Sequence, residues 1–455
     1  MPYHFNTPED TQSMLDAIGV DSVESLFDCI PKDLQLDRPL DLPAAKSELE
    51  LAQHMGAMAD RNLHAQNSVC FLGGGSYDHF IPAVVDALAS RGEFYTSYTP
   101  YQPEVSQGNL QAMFEYQTLI CQLTGMDVSN ASLYDGGSAV TEAALMALSV
   151  ARGRDNVVVA ESMHPEFRQI LETYLENIDA NMVSVPCPDG VADIDSFEQA
   201  VTDTTACVIV QHPNFFGCPE DLAKLAALAH DKGAALIVAV DPISLGVLKR
   251  PGDYGADIVV AEGQSLGNPM SFGGPYLGIM ACRESFLRRM PGRIAGQTID
   301  HDGKTCWVLT MQTREQHIRR NKATSNICTN QGLFALRASI YLALMGPQGL
   351  REVATLSMQK AHYAAEQIAA LPRFSMAYDR PFFKEFVVRD RDNRVPELLA
   401  SAEQQHILAG VPLGKWYPDM QDCVLIAVTE QRTKQQIDEL TQALGSVVTE
   451  ALSHA

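Results

Sequence analysis

The sequence predicts an α/β protein: a large domain on a mainly parallel sheet, a smaller C-terminal α+β domain and a helical N-terminal arm. Between residues 66 and 325, apolar β-branched runs alternate with helical patterns, the signature of strand–helix–strand units. Those runs are apolar at nearly every position, so both faces of the sheet should be covered. On either side the alternation stops. Residues 1–65 carry helix-capping signals, and residues 326–455 carry long helical patterns with only two strand-like runs.

The arm comes first. Thr7 can cap a helix with Pro8 at its first position and acids at 9 and 10, and Gly19 can end it. Asp21 with Glu24, and Ser47 with Glu50, are two further capping-box patterns. An arm of short helices of this kind usually clasps another subunit or the outside of the main domain. In the large domain, the strand runs fall at 156–160, 182–185, 206–210, 236–240, 258–261 and 276–280. Helical patterns lie between them at 165–176 and 219–231, with another at 140–152. Active-site loops are expected at the C-terminal ends of such strands. In the small domain, helices are expected at 331–344, 352–371, 396–408 and 434–444, with strands at 382–388 and 423–428.

With 455 residues the chain can bury a substantial core in two or three domains. Its formal charge of −23, from 33 basic and 56 acidic side chains, opposes binding to nucleic acid or anionic lipid. Ten scattered cysteines form no C-x-x-C pair, which points to buried thiols and away from a metal site. The first ten residues have no basic n-region and no apolar h-region, and no run reaches membrane-spanning length without a charge or proline. A cytoplasmic protein is the expectation.

Six constellations could carry chemistry. Asp241 closes an apolar strand ahead of Pro242, a place where a carboxylate can hold the pyridinium N–H of pyridoxal phosphate (PLP) or simply cap the next turn. His164 follows the 156–160 strand and could stack on an aromatic cofactor ring, or merely precede a Pro-initiated helix. Asp135-Gly-Gly-Ser138 offers N–H groups and a hydroxyl to a phosphate, or plain capping. Gly73-Gly-Gly75 is a phosphate cradle or a turn. The 95–108 loop gathers Tyr98, Tyr101, Gln102, Glu104, Ser106 and Gln107 in a stretch broken by two prolines, which reduce the entropy lost on ordering. Solvated turns rarely carry so many tyrosines, so this loop reads as one that holds a small zwitterion or a cofactor edge. Finally, Arg314, Arg319, Arg320 and Lys322 precede Thr324-Ser325-Asn326, a pattern suited to an anion or to a solvated capped helix.

What is missing is as informative. In PLP enzymes of this layout, the loop after the 258–261 strand supplies the Schiff-base lysine. Here that loop runs from Glu262 to Pro275 without one.

Four strings, YTPYQPEVSQG (98–108), HPNFFGCPED (212–221), SFGGPYLG (271–278) and TREQHIRRNKATSNICT (313–329), closely resemble the P-protein family of the glycine cleavage system. The likeness covers nearly the whole chain. It falls on the N-terminal half of that family, the separate α subunit (subunit 1) of two-chain glycine dehydrogenase (decarboxylating). The resemblance implies a fold type I PLP-transferase architecture and an α2β2 assembly whose β subunit anchors PLP through a lysine. It implies that glycine loses its carboxylate as CO2 and that the aminomethyl group passes to lipoamide of the H-protein. The lysine's place then falls near Gln264-Ser265, and neither side chain can form an imine. Asp241, His164 and Ser265 become degenerate cofactor positions. Tyr98, Tyr101, Gln102, Glu104 and Gln107 would line the glycine side of the partner's site. Thr324, Ser325 and Asn326 would reach the phosphate of the partner's PLP. Two other readings stay open: a self-sufficient PLP enzyme using Lys249 or Lys322, and a purely structural scaffold.

Overall fold

The computed structural model describes residues 5–328 and 331–450; Met1 to His4 of the N-terminal stretch and Thr329 of the last string lie outside the described residues. The chain forms two compact units, residues 1–62 and 63–455.

The first unit is helical. Thr7 caps the helix Pro8–Ile18 in a full capping box with Asp10, and Gly19 ends it at φ 82°. Ser47 and Glu50 cap Glu48–Ala59 in the same reciprocal way. Asp21 does not cap. The turn it was expected to start is the single 3-10 turn Glu24–Phe27, and Ser22 Oγ accepts the Ser25 N–H at 3.3 Å instead.

The second unit is built on a seven-stranded sheet. Its strands are β1 (Val128–Ser129), β2 (Asn156–Ala160), β3 (Asn181–Val185), β4 (Thr205–His212), β5 (Ala235–Val240), β6 (Ile258–Glu262) and β7 (Gly278–Cys282). They lie in the order β1-β7-β6-β5-β4-β2-β3. The run from β3 to β6 is parallel; β7 is antiparallel to β6, and β1 to β7. Alternation sends neighbouring residues into different cores. Val158, Val208 and Val238 pack with Leu225 and Tyr341 on one face. Val157, Ile209 and Ile237 pack with Val140 and Leu171 on the other. Both faces are therefore dry, which is why the strands read as unbroken apolar runs.

A four-stranded antiparallel sheet adds Phe374–Met376, Glu385–Asp390, Cys423–Ala427 and Val411–Pro412. The two helices expected at 331–344 and 352–371 are joined in Gly332–Ala369, broken at Gly346, whose φ of 59° with ψ −175° only glycine adopts freely. The pattern at 396–408 stops sooner than expected. The helix Val395–Glu403 ends, and Ile407–Leu408 becomes a strand parallel to Val69–Cys70. The helix expected from 140 begins at Gly136, because Asp135 caps it by accepting the Ser138 N–H at 2.7 Å. The strand expected at 276–280 lies at Gly278–Cys282. An antiparallel hairpin, Ile294–Ile299 with Thr305–Thr310, was not foreseen. Its strands are half-solvated, so they lack the apolar continuity that marked the others.

Candidate functional site

The C-terminal ends of β2, β4, β5 and β6 converge with the N-terminus of the helix Gly136–Val150. This is where an open parallel sheet places ligands. His164 lies just beyond β2. Its Nδ1 accepts the Glu166 N–H at 3.1 Å, and its Nε2 donates to Gly74 O at 2.7 Å. The ring is buried and stacks on Phe167, centroids 4.5 Å apart and 18° between planes. Burial lowers its pKa, so the ring is held neutral.

Asp241, at the end of β5, accepts the Ile243 N–H at 3.1 Å and pairs with Lys384 Nζ at 2.8 Å. Lys384 arrives from the four-stranded sheet's side and is buried. Its ammonium also contacts His79 Nε2 at 2.9 Å and lies 3.4 Å from the centre of the Tyr77 ring. The next residue, Glu385, accepts the Tyr77 hydroxyl at 2.8 Å and the Gly74 N–H at 2.7 Å. Burial pushes the Glu385 carboxyl up to about 7. Gly73-Gly-Gly75 is thus a close-packed turn. A Cβ on Gly73 would fall 2.2 Å from Glu385 Oε1, and one on Gly75 would meet the His164 ring at 3.3 Å.

Glu262, at the end of β6, accepts N–H groups from Gly136 at 2.9 Å, Gln264 at 2.9 Å and Leu277 at 3.0 Å. Burial drives its carboxyl up to about 8 against those donors. Gln264 takes the lysine's expected place, and its amide is fully used by Tyr77 N, Tyr77 O and Asn268 O. Ser265 is buried, and its hydroxyl has no partner among the described residues. The space left at these strand ends is a cavity of about 20 Å³. That is room for about one water molecule. The side chains present do not fit PLP.

A second locus lies at the 95–107 loop. Tyr95, Tyr98 and Tyr101 are exposed. Tyr98 lines a cavity of about 210 Å³ together with Phe94, Met113, Tyr116 and Arg293. Arg293 is buried with only a loose ion pair, 4.0 Å to Glu315, and its Nε and the Tyr116 hydroxyl have no hydrogen-bond partner among the described residues. Tyr101 meets His317 edge-on, centroids 6.1 Å apart, so the loop reaches the basic segment. Glu104 and Gln102 belong to the 3-10 turn Pro103–Val105 and its cap. Gln107 does something else: its amide donates to Trp307 O at 2.8 Å and accepts from Trp307 N at 2.9 Å, fastening the loop to the hairpin.

The basic segment divides likewise. Arg314 is buried and donates to the carbonyls of Met290, Met311 and Gly292. Arg319, Arg320 and Lys322 are exposed. Thr324 and Ser325 are half-buried beside Gly292 and Arg314, Ser325 Oγ accepts the Ile327 N–H at 3.0 Å, and Asn326 is exposed. The string at 212–221 is a buried knot. Asn214 donates to Gly190 O at 2.7 Å and Glu220 Oε1 at 2.7 Å, while Glu220 also accepts Ser162 and the Ala192 N–H, each at 2.8 Å.

A family model described as "Glycine cleavage system P-protein" matches residues 3–444. The chain belongs to the glycine cleavage system P-protein family. Two relatives named "Probable glycine dehydrogenase (decarboxylating) subunit 1" resemble it over their whole length. That of Desulforamulus reducens is 51% identical over 97% of this chain and 99% of its own. That of Carboxydothermus hydrogenoformans is 50% identical over 98% and 99%. A crystal structure of glycine decarboxylase (P-protein) in inhibitor-bound form superposes with a TM-score of 0.90 at 43% identity, covering 98% of this chain and 100% of that one. The sphingosine-1-phosphate lyase of Burkholderia pseudomallei shares the fold alone, at TM-score 0.65 and 16% identity over 93% of this chain and 97% of that one. The architecture of this P-protein family member is the PLP-dependent transferase-like one, with its mainly parallel sheet and smaller antiparallel sheet.

Lys384, Glu262, Glu385, Tyr77 and His79 were not singled out from the sequence. A signal existed for two of them: Lys384-Glu385 are adjacent charges inside an otherwise apolar strand run.

Proposed function

We propose that this chain is the subunit of glycine decarboxylase that does not anchor PLP, working with a second P-protein subunit in the glycine cleavage system. Membership of the family supports the reaction class. The observation that carries the division of labour is the strand-end loop: Gln264 and Ser265 fall near the place where an imine-forming amine is needed, and the cavity at the neighbouring strand ends has a volume of only about 20 Å³. In this reading the partner subunit holds PLP in an α2β2 assembly. The coenzyme supplies the electron sink for loss of CO2, and lipoamide of the H-protein accepts the aminomethyl group.

This chain's part is to shape the partner's site. Tyr98 and Tyr101 present hydroxyls, and Gln102 and Glu104 present polar groups, on a loop pre-set by prolines. Gln107 positions that loop through Trp307. Thr324, Ser325 and Asn326 offer hydroxyls and an amide to the phosphate of the partner's PLP. The arm 1–65, the large domain 66–325 and the small domain 326–455 are the working divisions. No helix of the described residues is long and apolar enough to cross a membrane, and a cytoplasmic location accords with that.

The test is glycine decarboxylation by the reconstituted complex of this chain, its partner and lipoylated H-protein. Neither chain alone should turn over. Tyr98→Phe, Tyr101→Phe and Thr324→Ala should each lower kcat/KM by roughly 10–100-fold, the range expected when a positioned hydroxyl is lost, with assembly intact. Unchanged turnover in all three would make the chain a scaffold. Turnover by this chain alone would make it a self-sufficient enzyme.

A further inference from the structure

We propose that this chain's own coenzyme site has been closed from within by two side chains that reproduce the coenzyme's polar contacts, turning the site into a clamp between the two sheets of the second unit. The Lys384 ammonium stands where a protonated ring nitrogen would meet Asp241. The Glu262 carboxyl stands where a phosphate would meet the N-terminus of Gly136–Val150.

Each substitution conserves the polar contact. A pyridinium N–H and an ammonium N–H both donate to a carboxylate as cations. Lys384 Nζ does so at 2.8 Å from Asp241. A phosphate at a helix N-terminus accepts backbone N–H groups. Glu262 accepts the one offered by Gly136, and two more from its own loop. Of the first three N–H groups of that helix, Gly136 N is taken by Glu262 and Ser138 N by Asp135. The volume between these two contacts is also gone. His164 lies flat on Phe167, and the remaining 20 Å³ compares with the roughly 300 Å³ or more of an ordinary organic-ligand site.

Half of the fill comes from each sheet: Glu262 ends β6 of the large one, and Lys384 leads into the strand Glu385–Asp390 of the other. Lys384 and Glu385 hold Asp241 at the end of β5 and Gly74, Tyr77 and His79 of the segment that runs between the sheets. Lys384 is also not a hidden Schiff-base lysine. Its amine is committed to Asp241 and His79 and lies outside the 262–275 loop in which the Schiff-base lysine is expected.

The inference concerns this chain's interior and stands apart from what its surface loops do for a partner. It is tested on the full chain without glycine turnover. In equilibrium dialysis against PLP, the wild-type chain should retain none in its closed site, and borohydride should leave no phosphopyridoxyl group on Lys384. In thermal unfolding, Lys384→Met should lower Tm by several degrees, because Asp241 is left without its cation. Lys384→Arg should retain most of the wild-type Tm. The double variant Lys384→Met/Asp241→Asn should recover more than half of the single variant's loss. One equivalent of PLP bound to the wild type, a label on Lys384, a Lys384→Arg loss as large as that of Lys384→Met, or simple additivity in the double variant would each overturn the proposal. If Lys384→Met does not fold at all, the arginine variant and the dialysis decide.

Discussion

Glu262 shows how one side chain can be read at several levels. Burial raises its pKa from 4.5 to about 8, so the folded chain holds that proton more tightly than the unfolded chain. The stability this contributes is complete below pH 4.5 and is lost as pH rises toward 8. Glu262→Gln keeps the neutral form throughout. Relative to wild type, its urea-unfolding free energy should therefore climb between about pH 5 and 8, by a few kcal/mol in total. Parallel profiles for the two proteins would mean the carboxyl does not titrate as its burial demands. His212 acts in the opposite sense. Burial lowers it to about 4, so its contribution is lost as pH falls from 6.5 to 4. Nothing in the sequence exposed either effect, because desolvation depends on what covers a residue and not on its neighbours in the chain. Asp241 and His164 were legible as strand-end residues; the lysine that neutralises Asp241 lies 143 positions away.

Among elements, the parallel strands were the most legible, because a strand covered on both faces has to be apolar throughout. The hairpin 294–310 escaped notice because its half-solvated strands have no such run. The start of Gly136–Val150 was hidden by its glycines, which lack a helix-forming side chain yet are needed for contact. A Cβ on Gly137 would fall 2.4 Å from Ile170 Cδ1. Gly217 gives a sharper case. Its φ is +85°, a Cβ there would fall 1.9 Å from Glu385 O, and its carbonyl accepts the Phe383 N–H at 3.1 Å. Gly217→Ala should cost roughly 2–5 kcal/mol, the sum of overpacking and left-handed backbone strain. Gly19, with φ +82° but open space around it, isolates the backbone contribution, and Gly19→Ala should cost only about 1–2 kcal/mol. A Gly217→Ala loss, measured by thermal unfolding, no larger than the about 1–2 kcal/mol of backbone strain alone would refute the role given to the Gly217–Glu385 contact.

For the whole molecule, the question is whether the parts of the second unit melt together. Residues 63–455 form one compact unit, and the buried Lys384–Asp241 pair ties its two larger sheets. The chain has only two tryptophans, and they report on different places. Trp307 lies in the hairpin, and Trp416 packs edge-on against Phe215, centroids 5.8 Å apart. In Trp307→Phe and Trp416→Phe variants the remaining fluorescence should give coincident urea midpoints once the small stability change of each substitution is taken into account. Midpoints far apart would show two domains unfolding separately. At this scale the sequence carried the architecture well, through periodicity and the four quoted strings. It did not carry how the small sheet reaches into the large one, because that depends on contacts distant along the chain.

The filled interior has a nutritional consequence. A polypeptide completed by its own lysine and glutamate does not wait for a vitamin B6 derivative before its centre can close. On the division of labour proposed above, the folding of this chain should be indifferent to pyridoxine supply, and a shortage of the vitamin should reach the enzyme through the partner subunit alone.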